Sequence, residues 1–235
     1  MIVCHAHRFI FVKTRKTAGT SVEIALSKFC GPDDVITRDT PADQQIRDAL
    51  GHPGPQNEYG VGFRHYTLAD WRRFLTRGQR ARFKNHMPAR RIRSIVGESL
   101  WSGYFKFTIE RDPWDKAVSL YYWRTRATEP RPPLLAYLES AKRESLSNFD
   151  VYAIDGRVAV DRVIRYESLE AELEDVRKQL GIAQPIALPR AKGEHRPKDA
   201  NARALIGPRE RAIIDRVCAR EIAAFGYRFE QDERG

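Results

Sequence analysis

Short apolar runs along the chain alternate with longer segments whose apolar residues recur at helical spacing. The run RFIFVK, residues 8 to 13, is rich in aromatic and β-branched residues and predicts a buried strand. Residues 20 to 29 follow it with apolar residues at helical spacing and predict a helix. The run YFKFTIE, residues 104 to 110, predicts a second buried strand, and a helix is predicted after it, capped by Asp112 and opened by Pro113.

The remaining elements continue this alternation. Further helices are predicted at residues 67 to 77, 88 to 96, 134 to 145, 168 to 180 and 208 to 225, a hairpin at Asp155-Gly156 and a strand at 161 to 166. Residues 30 to 63 are predicted to be rich in loops, with HPGP and the glycines Gly60 and Gly62 as breakers. Strands that alternate with helices indicate an α/β fold, with a mainly parallel central sheet covered by helices on both faces. No repeat or long linker divides the chain, so we expect one domain over residues 1–235.

Composition limits which partners and which cellular compartment are expected for the protein. The formal net charge is +10 and the pI is near 9.7, which favour an anionic partner such as nucleic acid, an acidic polysaccharide, a membrane surface or a phosphorylated cofactor. The three cysteines are far apart in sequence and have no metal-ligand spacing, so reduced thiols are expected. No apolar run approaches the length of a secretion signal or of a membrane helix. These features predict a soluble, cytoplasmic protein.

The loop between the first strand and its helix, FVKTRKTAGTSVE, combines the donors that bind a phosphate. A helix N-terminus exposes backbone N–H groups and the positive end of the helix dipole. Gly19 lets the backbone approach an anion, Thr17, Thr20 and Ser21 add hydroxyl groups, and Lys16 adds a full charge. The alternative is an ordinary helix start with incidental cations. The nucleotide-hydrolase motif G-x-x-x-x-G-K-[ST] is absent from the loop.

A second candidate anion site follows the second strand. Arg111 ends that strand, and Ser119 lies a little over two turns into the next helix, so both side chains can converge on one anion. A guanidinium and a hydroxyl suit a terminal phosphate. The alternative is that Arg111 pairs with Asp112 or Asp115 and that Ser119 bonds to its own helix backbone.

The motif K-T-A-G-T-S after a strand, followed about a hundred residues later by R-D-P-W-D-K-A-V-S-L-Y, resembles the sulfotransferase superfamily. The chain is most similar to its carbohydrate-sulfotransferase-like branch, also called sulfotransferase family 2. The segments DRVIRYESLEAEL and EIAAFGYRF also resemble this branch, so the likeness spans roughly residues 8 to 229. It implies a P-loop-type three-layer fold. Residues 30 to 80 carry no motif that resembles the branch.

The resemblance also implies a reaction and a set of site residues. The donor would be 3′-phosphoadenosine 5′-phosphosulfate (PAPS), with no metal required. Its 5′-phosphosulfate would lie on residues 16 to 21 (Lys16, Thr17, Ala18, Gly19, Thr20 and Ser21). Its 3′-phosphate would lie on Arg111 and Ser119. Lys16 matches the family's catalytic lysine and would stabilise charge on the leaving-group oxygen, whereas Lys13 is the weaker candidate. The acceptor is a hydroxyl group of a small molecule or a polysaccharide, with a carbohydrate expected first.

A hydroxyl acceptor needs a general base, and the ordinary pKa of histidine suits that task. We predict His86 for this role, because it precedes the helix that leads to the Arg111 strand and because relatives of the branch often carry a histidine there. His65 is the second candidate. Arg196 and Lys198 lie in a late basic segment and either close over the site or are solvated charges.

Two other functions stay open at this point. A P-loop kinase or nucleoside triphosphatase would need a GK[ST] motif and a carboxylate for Mg²⁺ at the end of the second strand, where Arg111 stands instead. A basic nucleic-acid-binding module is favoured only by net charge, and no helix-turn-helix, zinc-finger or RNP signature is present.

Overall fold

A computed structural model of the chain describes residues 1–189 and 202–229. The strands are β1 (Ile2–Cys4), β2 (Phe9–Phe11), β3 (Val35–Ile36), β4 (Phe105–Glu110), β5 (Ala153–Ile154), β6 (Arg157–Val158) and β7 (Arg162–Arg165). The helices are α1 (Gly19–Ser27), α2 (Pro41–Ala49), α3 (Leu68–Arg77), α4 (Ala89–Val96), α5 (Glu98–Gly103), α6 (Pro113–Arg124), α7 (Leu134–Ser140), α8 (Arg143–Leu146), α9 (Phe149–Tyr152), α10 (Leu169–Gln179), α11 (Pro208–Val217) and α12 (Ala219–Phe225). Short 3₁₀ turns lie at Phe63–His65, Tyr166–Ser168 and Arg203–Leu205.

Five of these strands form a mixed sheet in the order β3-β1-β2-β4-β7. The strands β2, β4 and β7 are parallel, whereas β1 is antiparallel to both of its neighbours. The prediction of a mainly parallel sheet therefore holds for one half only. The connection from β1 to β2 is four residues long, and such a short link can join only antiparallel strands. The predicted hairpin at Asp155-Gly156 is confirmed as the separate pair β5-β6.

Alternate residues of the strands pack into two different layers. Ile10 and Val12 point into a cluster with α4, whereas Phe9 and Phe11 point into a cluster with α1 and α10. This is the period-two alternation of a strand that is buried on both faces. The chain is therefore a mixed α/β protein whose central sheet is flanked by helices on both sides. No helix within the described ranges combines the length and the apolar character needed to cross a bilayer.

Two predictions about the elements are wrong. The helix predicted over residues 208–225 is broken at Cys218, whose backbone leaves helical geometry (φ −102°, ψ 20°), and it forms α11 and α12. The helix predicted near residues 134 to 145 is broken at Ala141 and Lys142, whose backbones are extended, and it forms α7 and α8.

Residues 30 to 63 are rich in loops, as predicted, but they also contain β3 and α2. The start of α2 has a clear local signal, since the Thr40 side chain accepts a hydrogen bond from the Asp43 backbone and Pro41 occupies the first turn. The sequence therefore carries a local start signal for α2.

Candidate active site

A cavity of about 450 Å³ lies at the carboxyl ends of the three parallel strands. The segment after β2 contributes residues 13 to 21, β4 leads into Arg111, and β7 leads into Tyr166. The lining is completed by His86 and by residues of α6: Ser119, Leu120, Trp123 and Arg124. Among the described residues, all the predicted site residues except the second-choice His65 therefore line one cavity. Clefts at this edge of parallel strands are where α/β proteins bind ligands.

The loop after β2 has the backbone geometry of an anion cradle. Lys16 and Ala18 both have left-handed backbone conformations, with φ of 59° and 57°. Alternation of this kind turns successive N–H groups toward one side and makes a concave site for an anion. Ala18 also stands at the N-cap of α1 and has no side chain that could cap the helix. The positive end of the α1 dipole thus faces the cavity.

Gly19 is required by close packing rather than by an unusual φ. A Cβ atom at this position would lie 2.9 Å from the Lys13 Cγ and 3.2 Å from the carbonyl oxygen of Thr14. Such contacts would push α1 away from the strand. The glycine therefore sets how closely the helix N-terminus approaches the sheet, which is a different reason from the predicted one.

The threonine hydroxyls of this loop make contacts within the protein. The Thr14 and Thr17 hydroxyl oxygens lie 2.9 Å apart, and the Thr20 hydroxyl donates to the Asp39 carboxylate at 2.9 Å. These bonds fix the shape of the loop. The hydroxyls of Thr17 and Thr20 are therefore already bonded within the protein.

The two lysines of the loop have different surroundings. The Lys13 ammonium is buried, lies 2.8 Å from a Glu23 carboxylate oxygen and also pairs with Asp39. Burial opposes its charge, but the two carboxylates outweigh that effect and hold the pKa of Lys13 above its usual range. The Lys16 ammonium lies 5.7 Å from the centroid of the Trp123 ring, on the wall of the cavity. Lys13 is therefore chiefly a structural charge, and Lys16 is the better candidate for a ligand contact.

Arg111 joins the two candidate loops. Its guanidinium donates to the Lys16 carbonyl at 3.1 Å and to the Asp115 carboxylate at 2.7 Å, and it lies 4.1 Å from the Tyr166 ring centroid. The pairing with Asp115, left open by the sequence, is therefore present. It is compatible with an anion site, because Arg111 and Ser119 both line the cavity. The Asp115 contact holds the guanidinium in a fixed orientation.

His86 lines the same cavity and presents a defined ring nitrogen. Its Nδ1 lies 3.1 Å from the Lys13 carbonyl oxygen. A carbonyl can only accept, so Nδ1 carries the hydrogen and the lone pair of the neutral ring is on Nε2. Burial, followed by the charges of Lys13 and Arg15, lowers the pKa of His86 to about 3. His86 is therefore neutral at physiological pH, as a general base must be, but a ring with so low a pKa is a weak base, so its position and not its basicity favours His86 for this role.

The other candidates lie elsewhere. His65 is on the turn Phe63–His65, accepts a hydrogen bond from Arg64 at 2.9 Å and is not among the residues that line the cavity. Arg196 and Lys198 fall outside the described residues. The structure thus favours His86 over His65 on position.

A buried polar network behind the loop was not predicted. The Asn148 side chain donates to the Arg15 carbonyl and accepts from the Arg15 N–H, both at 3.0 Å. It also contacts Glu110, which pairs with the buried Lys116 ammonium at 2.8 Å. The network therefore holds the Arg15 backbone, which lies in the middle of the loop after β2. No local pattern in the sequence predicts a supporting role for Asn148. Trp123, by contrast, could have been predicted to line the cavity, because it lies one helical turn after Ser119.

The cysteines are free, although two of them lie close together. The sulfur atoms of Cys4 and Cys30 and a carboxylate oxygen of Asp34 lie within 4.8 Å of one another. The sequence spacing did not predict this grouping. The Asp34 carboxylate accepts hydrogen bonds from the backbone N–H groups of His5 and Gly31, at 2.6 and 2.8 Å. These local bonds account for the group as part of the packing at the far end of α1.

Comparison with known proteins gives one informative likeness. The chain is 35% identical over 106 residues to an uncharacterized protein of Archaeoglobus fulgidus, a match that covers 43% of this chain and 87% of the archaeal protein. This chain belongs to the same family as that protein. No established family profile matches the chain, and no solved structure matches it. Since the archaeal protein is uncharacterized, the likeness indicates no function, and the cavity is the feature that does.

Proposed function

We propose that the protein is a sulfotransferase that moves a sulfuryl group from PAPS to a hydroxyl acceptor, and that its sheet and helices form a P-loop-type fold. The observation that carries the proposal is the convergence of two distant motifs. The loop of Lys16 to Ser21 and the pair Arg111–Ser119 line one cavity, and the Arg111 guanidinium donates to the Lys16 carbonyl. Two separate anion sites on one cavity match a nucleotide with phosphates at two positions.

The chemistry of the lining fits such a donor. The lining contains cations, hydroxyl groups, backbone N–H groups at the start of α1, and the aromatic rings of Trp123 and Tyr166. The cations and N–H groups suit phosphate and sulfate oxygens, and a ring face suits an adenine base. The volume of about 450 Å³ falls in the range of small-molecule sites.

Two residues would act on the reacting groups. PAPS supplies an activated sulfuryl group whose transfer leaves negative charge on the bridging oxygen. Lys16 would stabilise that charge, because its ammonium lies on the cavity wall and Lys13 is held by carboxylates behind it. His86 would accept the proton of the acceptor hydroxyl on Nε2, the ring nitrogen that does not face the Lys13 carbonyl.

The residues that line the cavity favour a kinase less than a sulfotransferase. Mg²⁺-dependent phosphoryl transfer uses carboxylates that hold the ion beside the phosphates. No described residue that lines the cavity is an aspartate or a glutamate. Two carboxylates contact residues of the lining, and both are paired with a cation: Asp39 with Lys13, and Asp115 with Arg111.

The proposal is tested first by ligand binding. With a chelator present, adenosine 3′,5′-bisphosphate at a hundredfold excess over its Kd should raise the melting temperature by about 5–10 °C. ATP with Mg²⁺ should raise it less. The reverse order would favour a kinase or nucleoside triphosphatase. Binding to generic duplex DNA that is steeply dependent on salt, without binding to the bisphosphate, would favour a nucleic-acid module.

The acceptor is then found by transfer. The protein is incubated with PAPS labelled in the sulfate group and with a panel of mono- and polysaccharides, and label is followed into the acceptor. Transfer to a hydroxyl compound that is lost in Lys16→Ala is the expected result. A protein that binds the bisphosphate but transfers label to none of the sugars, and instead to amines or phenols, would require another acceptor class.

A further inference from the structure

Helix α3, residues Leu68–Arg77, presents apolar side chains to solvent. Leu68 is 90% exposed, Leu75 is 76% exposed and Trp71 is 38% exposed. They occupy positions i, i+3 and i+7 of the helix, which lie on one face. We call these three side chains the α3 stripe. Contiguous exposed apolar surface of this kind marks an interaction site rather than scattered surface residues.

The orientation of the stripe is fixed by the opposite side of the helix. Phe74 packs on Phe63 and Tyr66, with ring centroids 5.5 and 6.1 Å apart. Asp70 accepts a hydrogen bond from Arg91 of α4 at 3.0 Å, and together with Thr67 it forms a capping box at the start of the helix. These contacts use the inner face of α3. The helix is thereby anchored to the rest of the protein.

The three residues of the α3 stripe differ in how far they face solvent. Trp71 packs on the same two rings, with centroids 5.6 Å from Phe63 and 5.2 Å from Tyr66, and remains partly exposed. Leu68 and Leu75 point outward.

The surroundings of the stripe are strongly cationic. Between residues 63 and 84, seven of the eight charged side chains are arginine or lysine. Arg72 lies four residues after Leu68 and three before Leu75, so it borders the α3 stripe. Arg72, Arg77 and Arg80 are exposed, and none of them forms an ion pair with a carboxylate in the described part of the chain. Burial and the nearby Arg73 lower the pKa of Lys84, as expected in a crowded positive field.

This combination limits what can cover the stripe. A second copy of the chain, packed through the same face, would bring Arg72 and its neighbouring arginines against their own counterparts, and like charges at an interface are costly. The three side chains, together with the half-exposed Phe63 that stacks on Trp71, are also far fewer than the roughly 20–30 residues per partner of a stable dimer interface. The occupant must offer apolar contact and negative charge together, and it need not match a particular shape.

We propose that α3 docks the protein on the surface of an anionic lipid bilayer. The α3 stripe would enter the boundary between headgroups and acyl chains, with the helix in the plane of the membrane. Arg72, Arg77 and Arg80 would contact lipid phosphates. A short helix whose exposed leucines and tryptophan are bordered by exposed arginines combines the two features of an interfacial membrane helix, apolar side chains and cations on the surface that faces the lipid. The inference does not depend on the reaction proposed above, because no residue of α3 lines the cavity.

The test compares vesicles of phosphatidylcholine with vesicles that also contain phosphatidylglycerol. The full chain should sediment with the anionic vesicles and not with the neutral ones. The double variant Leu68→Ser/Leu75→Ser keeps the net charge and should bind the anionic vesicles about tenfold or more weakly, because part of two leucines is no longer buried. Both leucines are exposed, so the variant should keep its circular dichroism spectrum and melting temperature.

A matched control separates insertion from charge. Leu50 and Leu205 are also exposed, at 47% and 41%, and the double variant Leu50→Ser/Leu205→Ser should bind as the wild type does. Equal binding by the α3 variant and the wild type would overturn the proposal, since the attraction would then be a general effect of the net charge. Absence of binding to either vesicle would overturn it as well. Concentration-dependent dimers that the α3 variant abolishes, without vesicle binding, would assign the stripe to a second copy instead.

Discussion

Arg111 offers the sharpest test of the two-site cavity, because its guanidinium is held by the protein in a known way. It donates to the Lys16 carbonyl at 3.1 Å and to Asp115 at 2.7 Å, and it packs on Tyr166. If it also binds the 3′-phosphate, Arg111→Ala removes a hydrogen bond to a charged group, worth about 1.5–3 kcal/mol. The Kd for adenosine 3′,5′-bisphosphate should then rise about 10- to 150-fold.

The same substitution has a second effect that must be separated from the first. Once Arg111 is gone, the Asp115 carboxylate loses this cation beside the cavity and repels an incoming phosphate. At about 6 Å in a partly solvated site, the repulsion is on the order of 1 kcal/mol. The double variant Arg111→Ala/Asp115→Asn removes that charge. It should recover about 1 kcal/mol of binding and leave the loss of the direct contact in place.

The wild type, Arg111→Ala and the double variant are then each titrated by calorimetry with the bisphosphate and with adenosine 5′-monophosphate. Adenosine 5′-monophosphate lacks the 3′-phosphate, so the wild type should bind it more weakly than the bisphosphate, and Arg111→Ala should reduce that preference. If the wild type binds both nucleotides equally, Arg111 does not serve a 3′-phosphate. If Arg111→Ala weakens both nucleotides by the same factor, its role is confined to supporting the Lys16 loop.

Three further predictions address the loop and its support. Lys16→Ala should lower turnover at saturating donor by about 10²–10³-fold and weaken binding of the bisphosphate far less, because the lysine charge matters most when the leaving-group oxygen becomes anionic. Unchanged turnover in steady-state kinetics would limit Lys16 to a role in binding. Gly19→Ala should lower the free energy of unfolding by about 1–3 kcal/mol and weaken binding of the bisphosphate, because an added Cβ would lie 2.9 Å from the Lys13 Cγ. In the control Gly31→Ala the added Cβ meets no atom within 4 Å, so thermal denaturation and calorimetry should show neither effect. Asn148→Ala should speed hydrogen exchange at the Arg15 amide and cost about 1–3 kcal/mol of stability, because it deletes two hydrogen bonds to that backbone; an unchanged exchange rate would show that the loop keeps its shape without Asn148.

The parts of the fold that were predicted correctly depend on local signals. The strands β2 and β4 are short runs of aromatic and β-branched residues, and the caps at Thr67 and Asp112 are formed as expected. The gathering of Lys16 and Arg111 at one cavity was implied by the resemblance, and the parallel pairing of β2 and β4 accounts for it, because parallel strands end at the same edge of a sheet. For these features, the sequence near each residue determines the structure.

The parts that failed depend on contacts between distant segments. Cys218 interrupts a pattern that is helical throughout, and the break lets α11 and α12 pack differently against the core. The close approach of Gly19 to the Lys13 side chain was not predicted, because it depends on how α1 packs beside the end of β2. Asn148 supports Arg15 from 133 residues away. Such pairs have no spacing rule, because the fold brings them together only after the sheet has formed.

The low pKa of His86 also depends on tertiary contacts, and it makes proton uptake a signature of ligand binding. Burial and the charges of Lys13 and Arg15 lower the pKa from 6.5 to about 3. A bound bisphosphate would offset those charges, so the pKa of His86 should rise in the complex, and linkage requires that protonated His86 binds the nucleotide more tightly. Between pH 3 and 6.5, binding should therefore take up a proton, which calorimetry in buffers of different ionisation enthalpy measures. His86→Gln should abolish the uptake and His65→Gln should not. If uptake persists in His86→Gln, another group carries the proton and His86 does not sense the ligand.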